Sequence, residues 1–168
     1  MKIMIKYTAA MTLSFLLSAC GSGTNTQAEA APVAPQQVSS PTKTASTPIP
    51  QSGGYSNINN AQLKQLMKKG VPLVDIRLKE EWQQTGIIKG AHTITFFTKT
   101  GRINPNFMPQ FTALVKQDQP VALICRSGNR TRAASQAITK QLGYKKVYNV
   151  THGMKGWIGQ KQPVVAYH

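Results

Sequence analysis

Residues 121–134, V-A-L-I-C-R-S-G-N-R-T-R-A-A, contain the pattern that decides the fold of this chain. The apolar run at residues 121–124 is typical of a short buried strand, and it leads directly into Cys125. After five further residues a helix-like segment begins, which we place at residues 131–142. Because α/β folds bind and react at the carboxyl ends of their strands, this pattern predicts an α/β fold with Cys125 at its functional edge.

The residue types around Cys125 favour a nucleophilic thiolate. Successive N–H groups of a turn before a helix can point inward and form a cradle for an anion. Arg126, Arg130 and Arg132 add positive charge to the same stretch. Both effects stabilise a thiolate relative to a thiol. The alternative interpretation is that Cys125 is a small core residue, since free cysteine is among the most buried residue types.

The N-terminal residues have the pattern of an export signal. Two lysines precede an apolar stretch at residues 7–17, which is too short to span a bilayer as a stable helix. The sequence L-S-A-C at residues 17–20 resembles the lipobox of bacterial lipoproteins. That resemblance implies a signal peptide at residues 1–19 and acyl chains on Cys20, which together anchor a protein stably to a membrane. An ordinary secretory signal with a chance cysteine is the alternative.

The export signal limits the partners that the strong positive charge could attract. The formal charge of +15 comes from 20 Lys and Arg against 5 Asp and Glu. Such a charge is compatible with nucleic acid or with a surface that attracts anions, and export argues against nucleic acid. We expect a lipid-anchored protein of the cell envelope, and Gly21 resembles the pattern sent to the outer membrane of Gram-negative cells. With Cys20 lipidated, Cys125 has no partner for an intramolecular disulfide.

The segment after Cys20 is predicted to be a disordered linker. Residues 21–54 are rich in Ala, Ser, Thr, Pro and Gln and hold five of the ten prolines. A segment with so few large apolar residues cannot bury a core. We therefore divide the chain into the signal peptide at residues 1–19, the lipidated cysteine and linker at residues 20–54, and one folded domain at residues 55–168.

The folded domain shows alternating strand and helix patterns. We predict strands at residues 71–76, 92–97, 121–124 and 147–150. We predict helices at residues 57–70, 107–115 and 131–142, the first capped by Asn57 or Asn60. Residues 79–84 are predicted to form a short helix or turn, and residues 151–159 a turn into a final helix. Strands that alternate with helices imply a parallel sheet with helices on both faces, a three-layer α/β fold. In the helix after Cys125 the expected packing side consists of Ala133, Ala134, Ala137, Ile138 and Leu142.

Five segments, taken in order, resemble a single rhodanese domain. They are L-V-D-I-R at 73–77, E-E-W at 80–82, G-I-I-K-G-A at 86–91, C-R-S-G-N-R-T at 125–131 and G-M-K-G-W at 153–157. The likeness covers residues 57–162. It implies a rhodanese-like fold and a sulfurtransferase that carries sulfur as a persulfide on Cys125. The usual donor in the family is the anion thiosulfate, the acceptor is cyanide or a thiol, and no metal or organic cofactor is needed.

The resemblance also implies roles for individual residues. Cys125 would be the nucleophile, in a two-step exchange with a covalent intermediate. The substrate-binding loop would consist of Arg126, Ser127, Gly128, Asn129, Arg130 and Thr131, with Arg126 and Arg130 binding the anionic donor and the N–H groups ringing its sulfur. Asp75 and Arg77 would support the loop through buried polar contacts. A thiol or a partner protein could accept the sulfur.

The loop spacing separates this interpretation from its nearest alternative. Cysteine phosphatases, and phosphatase and arsenate reductase relatives on this fold, use C-x5-R, whereas Arg130 lies one place earlier and closes a six-residue loop. A smaller loop suits a single sulfur. Two departures from the family are Ile87 in place of the usual histidine and His152 in place of a glycine. We expect His152 to be a turn residue rather than a donor to substrate, and His92 to be a strand-end residue. A sulfur-binding or redox module without turnover, or an interaction domain on a stalk, is the further alternative.

Overall fold

The order of strands and helices follows the predicted alternation, and the sheet is built around the apolar run at residues 121–124. The structure, a computed structural model, describes residues 47–168. The predictions for the signal peptide, for Cys20 and for most of the linker fall on residues 1–46 and lie outside the described residues. No helix among residues 47–168 is long and apolar enough to cross a membrane.

The described residues form one six-stranded sheet that is parallel except at one edge. Its strands are β1 (Ile49–Pro50), β2 (Ser56–Ile58), β3 (Leu73–Asp75), β4 (His92–Thr93), β5 (Val121–Ile124) and β6 (Val147–Val150). Their order in the sheet is β1-β2-β6-β5-β3-β4, and β1 pairs with β2 in the antiparallel direction. The four remaining pairs are parallel, which confirms the predicted parallel sheet and places β5 near its middle.

Helices cover both faces of this sheet, so the predicted three-layer α/β fold is confirmed. The helices are α1 (Asn60–Lys68), α2 (Lys79–Thr85), α3 (Phe107–Leu114), α4 (Asn129–Leu142) and α5 (Gly153–Gly159). Side chains of α3 and α4 pack on one face with Val121 and Leu123 of β5. Side chains of α1 and α5 pack on the other face with Ala122 and Ile124. All four β5 side chains are buried because successive residues of a strand point to opposite faces.

The start of the domain differs from the prediction. Residues 57–58 belong to β2 rather than to the first helix, and that helix is capped by Asn59, not by Asn57 or Asn60. A capping box is the physical reason, since the Asn59 side chain accepts the Gln62 N–H and the Gln62 side chain accepts the Asn59 N–H. The predicted linker also ends earlier than expected, because residues 49–50 form the edge strand β1.

Two further boundaries bear on the site. Helix α4 begins at Asn129, so three residues rather than five separate it from Cys125. The strand predicted at residues 92–97 is only two residues long, although Ile94 and Phe96 continue to bond to β3 and the residue after it. In α4 the expected packing residue Ala133 is exposed, and two polar residues of that helix, Thr131 and Ser135, are buried in the domain instead.

Candidate active site

Cys125 lies at the carboxyl end of β5, directly before the loop that enters α4. Its side chain is fully buried, and its Sγ accepts a hydrogen bond from the Gly128 N–H at 3.2 Å. The hydroxyl of Thr131 lies 3.6 Å from the same sulfur. The Gly128 N–H is the backbone donor to Sγ among the described residues, and the ring of N–H groups expected around the terminal sulfur of a persulfide stays a prediction. The N-terminal end of α4, with its partial positive charge, faces the sulfur from this side.

Two glycines allow the loop to pack tightly. Gly128 has a φ of +91°, and a Cβ on it would lie 2.0 Å from the carbonyl oxygen of Thr151. Gly153 has a φ of +52°, and a Cβ there would lie 2.2 Å from the carbonyl oxygen of Cys125. The N–H of Met154 donates to that same oxygen at 2.8 Å. The first turn of α5 therefore packs directly against the start of the loop that follows Cys125.

Arg130, which we expected to bind a donor, is paired with an acidic residue. Its Nη1 and Nη2 donate to Oε2 and Oε1 of Glu81, each at 2.6 Å. Arg126 is exposed and forms no ion pair within residues 47–168. Arg126 is thus the more available cation of the loop, and Arg130 reaches an incoming anion only in competition with Glu81. The sequence analysis did not assign a role to Glu81.

The pairing has consequences for both titrating groups. Burial raises the pKa of Glu81, but hydrogen bonds from Arg130 and from the Leu78 N–H outweigh burial, and the net pKa lies below the ordinary value. The hydrogen bond to Glu81 raises the pKa of Arg130 against the effect of burial, and the negative form of Cys125 raises it further. Both side chains are therefore charged near neutral pH, and Arg130 lies close enough to Cys125 to interact with it.

Asp75 and Arg77 form a buried ion pair at the end of β3. The Arg77 side chain is 1% exposed, its Nη2 lies 2.7 Å from Oδ2 of Asp75, and its Nε donates to the same carboxylate. The remaining donors of Arg77 bind Thr85 Oγ1 and the carbonyl oxygens of Glu81 and Gly86. This pair fastens α2 to the sheet, and α2 in turn presents Glu81 to Arg130.

A cavity opens to solvent beside the loop that holds the buried thiol. It has a volume of about 370 Å³ and is lined by Leu78, Glu81, Arg126, Ser127 and Arg130. The sulfur itself is closed to solvent in this conformation. A substrate that enters this cavity therefore reaches Sγ only after a small movement of the loop or of the Glu81–Arg130 pair.

The remaining predicted loop residues differ in how close their side chains lie to the sulfur. Asn129 is exposed, and its Oδ1 accepts a hydrogen bond from Arg132 at 2.8 Å, so its side chain turns away from the sulfur. Thr131 is fully buried against the sulfur. His152 is exposed and lies in the turn before α5 as its N-cap residue, with a φ of −103°, which confirms the predicted turn residue.

Besides Glu81, a second residue that contacts the site, Asn149, had no role predicted from the sequence. Asn149 of β6 is 3% exposed, and its Oδ1 lies 2.5 Å from the hydroxyl oxygen of Thr131. Its Nδ2 donates to Oδ1 of Asn57 on β2 at 2.8 Å. The signal in the sequence was a polar residue inside the run V-Y-N-V, which a buried strand tolerates only when the amide has partners.

The fold and the cysteine loop define a class of protein, a parallel-sheet α/β domain with a cysteine held between a strand end and a helix N-terminus. A protein-family model described as "Rhodanese-like domain" matches residues 59–160. The chain belongs to the rhodanese-like domain family. Among residues 47–168, no group of three His, Cys, Asp or Glu side chains could hold a metal ion.

Relatives and solved structures agree with this family. The chain is 34% identical over 88 residues to the uncharacterised protein RP600 of Rickettsia prowazekii, covering 50% of this chain and 69% of that protein. It is 27% identical over 113 residues to thiosulfate sulfurtransferase 18 of Arabidopsis thaliana, covering 64% and 82%. The crystal structure of a rhodanese-related protein from Thermoplasma volcanium superposes with a TM-score of 0.51 at 28% identity, covering 66% and 98%.

Proposed function

We propose that this protein is a sulfurtransferase that moves sulfane sulfur through a persulfide on Cys125. The observation that carries this proposal is the position of Sγ, which accepts the N–H of Gly128, the N-cap residue of α4, in a rhodanese-like domain. An N–H donor and a helix N-terminus both stabilise negative charge on sulfur. One relative is named for thiosulfate sulfurtransfer, which supports the same reaction class.

The reaction has two balanced steps. In the first, the Cys125 thiolate attacks the outer sulfur of thiosulfate, the sulfur–sulfur bond of the donor breaks, and sulfite leaves with the bonding electrons. In the second, cyanide or a thiolate attacks the terminal sulfur of the persulfide and Cys125 is released as a thiolate. This is nucleophilic catalysis with a covalent intermediate, for which ping-pong kinetics are expected.

Arg126 is the residue we assign to the first encounter with an anionic donor. It is exposed at the mouth of the cavity, whereas Arg130 is held by Glu81 at 2.6 Å. A donor with two negative charges can bind Arg126 without loss of an existing ion pair. Its contact with Arg130 requires displacement of Glu81, and that exchange would also open the path to the buried sulfur.

We also propose that the protein works in the cell envelope, anchored through acyl chains on Cys20. The L-S-A-C sequence that ends at Cys20 supports this location. A protein held on the outer membrane and facing the periplasm would meet small thiols and thiol-bearing partner proteins as acceptors. The +15 formal charge would also draw anionic donors towards the domain.

The test is intact mass spectrometry after incubation with thiosulfate. We expect an added mass of about 32 Da on Cys125, one sulfur carried as a persulfide, and its loss on addition of cyanide with release of thiocyanate. The Cys125→Ser variant should remain folded and gain no mass. Equal sulfur transfer by the variant and by the wild type, or an inert but folded wild type that gains no mass from thiosulfate or from a persulfide donor, would contradict the proposal.

A sulfur carrier without turnover is the second candidate. The observation that favours it is the fully buried thiol, which a small donor in solution does not reach without a movement of the loop. This candidate predicts a persulfide adduct when a persulfide-bearing partner is supplied, together with slow turnover on thiosulfate. Hydrolysis of a phosphate ester or reduction of arsenate, with no sulfur adduct, would instead favour the C-x5-R class despite the shorter loop.

A further inference from the structure

We infer that the Thr131 hydroxyl, oriented by Gly128 and Asn149, presents a lone pair to Sγ of Cys125 and so opposes the thiolate that the Gly128 N–H favours. Thr131 would be a positioning residue for the nucleophile. The inference deepens the proposed function, because it concerns control of the same sulfur. It can nevertheless be tested with no sulfur donor present, so it can fail independently of that function.

The hydroxyl of Thr131 has one proton to donate and three polar neighbours. Its Oγ1 lies 2.9 Å from the carbonyl oxygen of Gly128, 2.5 Å from Oδ1 of Asn149 and 3.6 Å from Sγ of Cys125. The first two neighbours are acceptors, so the single hydroxyl proton is directed to one of them. The oxygen therefore presents a lone pair to the sulfur. A lone pair accepts the S–H of a thiol and repels a thiolate.

The surrounding network keeps the hydroxyl in this orientation. Thr131 is fully buried and Asn149 is 3% exposed, so bulk water does not compete for the proton. Asn149 is itself held by Asn57, its register partner on the neighbouring strand, through a hydrogen bond of 2.8 Å. The carbonyl of Gly128 is an acceptor whichever way the Asn149 amide is turned, so the count does not depend on the amide.

The charged groups around the thiol are largely paired. Glu81 on α2 offsets Arg130 on α4, and Asp75 at the end of β3 is paired with Arg77. The loop contributes the exposed Arg126, and the start of α5 contributes the exposed side chains of His152 and Lys155. From β6 the group that faces Thr131 is the neutral amide of Asn149. Arg77 and Arg130 are each paired with a carboxylate, although Arg130 still interacts with Cys125, and in such a buried site one hydrogen bond to the thiol can change the balance between thiol and thiolate.

The direction of the effect makes the inference testable. Thr131→Val keeps the volume and removes the acceptor of the S–H without taking a donor from the thiolate. We expect the pH midpoint of Cys125 alkylation by iodoacetamide to move to lower pH, and the rate at neutral pH to rise roughly two- to fivefold, as for the loss of one weak hydrogen bond. The midpoint is the main readout, since a change in access alters the rate at every pH without moving the midpoint.

Matched variants complete the experiment on the full chain, with alkylation followed on the Cys125 peptide by mass spectrometry. Thr131→Ser restores the hydroxyl and should return the wild-type profile. Thr139→Val removes a hydroxyl from the same helix that bonds only to backbone carbonyls, and it should leave the profile unchanged. An unchanged midpoint in Thr131→Val, or a midpoint at higher pH, would overturn the inference, because the latter means that the hydroxyl donates to the thiolate.

A second variant covers the case in which Thr131→Val does not fold. Asn149→Val removes one of the two acceptors and frees the hydroxyl to donate to a thiolate. We expect a shift in the same direction but smaller, because the carbonyl oxygen of Gly128 remains. A shift to higher pH would again overturn the inference. An alkylation shift without any persulfide on the wild type would contradict the sulfurtransferase proposal and leave the role of Thr131 supported.

Discussion

Glu81 determines what the arginines of the loop can do. Its carboxylate occupies both terminal nitrogens of Arg130, which leaves Arg126 to meet an incoming anion. The carboxylate is itself positioned by α2, where it also accepts the Leu78 N–H at 3.0 Å and so caps the helix. A single acidic side chain thus links the helix start, the loop arginine and the mouth of the cavity.

The Glu81–Arg130 pair predicts a pH-dependent stability. Because the pKa of Glu81 is lowered in the folded protein, its contribution is fully present above the ordinary value of 4.5 and is lost as the pH falls through the folded pKa. Glu81→Gln should lower the free energy of unfolding at pH 7 by less than about 1 kcal/mol, since the pair is partly exposed. The difference from wild type should vanish in acid.

Denaturant unfolding at several pH values measures this difference. Glu80→Gln is the matched control, because Glu80 neighbours Glu81 on the same helix but its partner Lys99 is exposed. The control should change stability less than Glu81→Gln at pH 7. A loss of stability in Glu81→Gln that persists unchanged below the folded pKa would show that packing, and not the charge pair, is responsible.

The junction between β5 and α4 is the element that sets the surroundings of the Cys125 sulfur. The strand ends at Ile124, the helix begins at Asn129, and the chain turns between them through the left-handed conformation of Gly128. The same residue supplies the N–H that Sγ accepts. The first turn of α5 stabilises this junction, because Met154 and Lys155 donate their N–H groups to the carbonyl oxygens of Cys125 and Arg126.

Replacement of the junction glycine should cost both stability and sulfur loading. Gly128→Ala adds strain at a φ of +91°, and its Cβ would meet the Thr151 carbonyl at 2.0 Å. We expect a loss of at least about 2 kcal/mol in the free energy of unfolding, and little or no persulfide on the folded fraction.

A substitution at Gly90 distinguishes the cost of backbone strain from the cost of a steric clash. Gly90 has a similar φ of +82° with nothing within 4 Å of an added Cβ. Gly90→Ala should therefore cost only about 1 kcal/mol in the free energy of unfolding and keep its sulfur loading. If the two alanine variants behave alike in unfolding and in intact mass, the close contact at the junction is unimportant.

On the scale of the whole molecule, basic residues greatly outnumber acidic ones. Four of the five acidic residues lie within residues 47–168, and Asp75, Glu80 and Glu81 are each paired with a lysine or arginine. Most of the twenty basic residues therefore have no acidic partner available. A surface of this kind attracts anions, and that attraction is sensitive to salt.

Attachment to the envelope is tested on the whole chain. If the proposed acyl chains on Cys20 anchor the protein, Cys20→Ser should move it from the membrane fraction to the soluble fraction of cells that process lipoproteins. Fractionation and immunoblotting measure the shift, and wild type washed with high salt should stay on the membrane. A soluble wild type, or a Cys20→Ser variant that stays on membranes after the same wash, would contradict the lipid anchor.

The sequence by itself was enough for the order of elements, the parallel sheet and the cysteine at a strand end. The limits of β5 and β6 were predicted to the residue, because apolar runs between turn residues are local signals. The start of α4 was predicted two residues late, since Asn129 and Arg130 look like turn residues until the backbone of Gly128 is known. The cap of α1 was misplaced among neighbouring asparagines for a similar reason.

Only the tertiary structure decided which partners the loop residues have. Glu81 lies 49 positions from Arg130, and Asn149 lies 18 positions from Thr131, so no local pattern links either pair. Their meeting depends on strand order and on how α2 and β6 pack beside the loop. Periodicity in a sequence reports burial along one element, whereas a hydrogen bond between elements depends on the relative placement of both. The charge available at the mouth of the cavity and the partners of Thr131 are properties of that second kind.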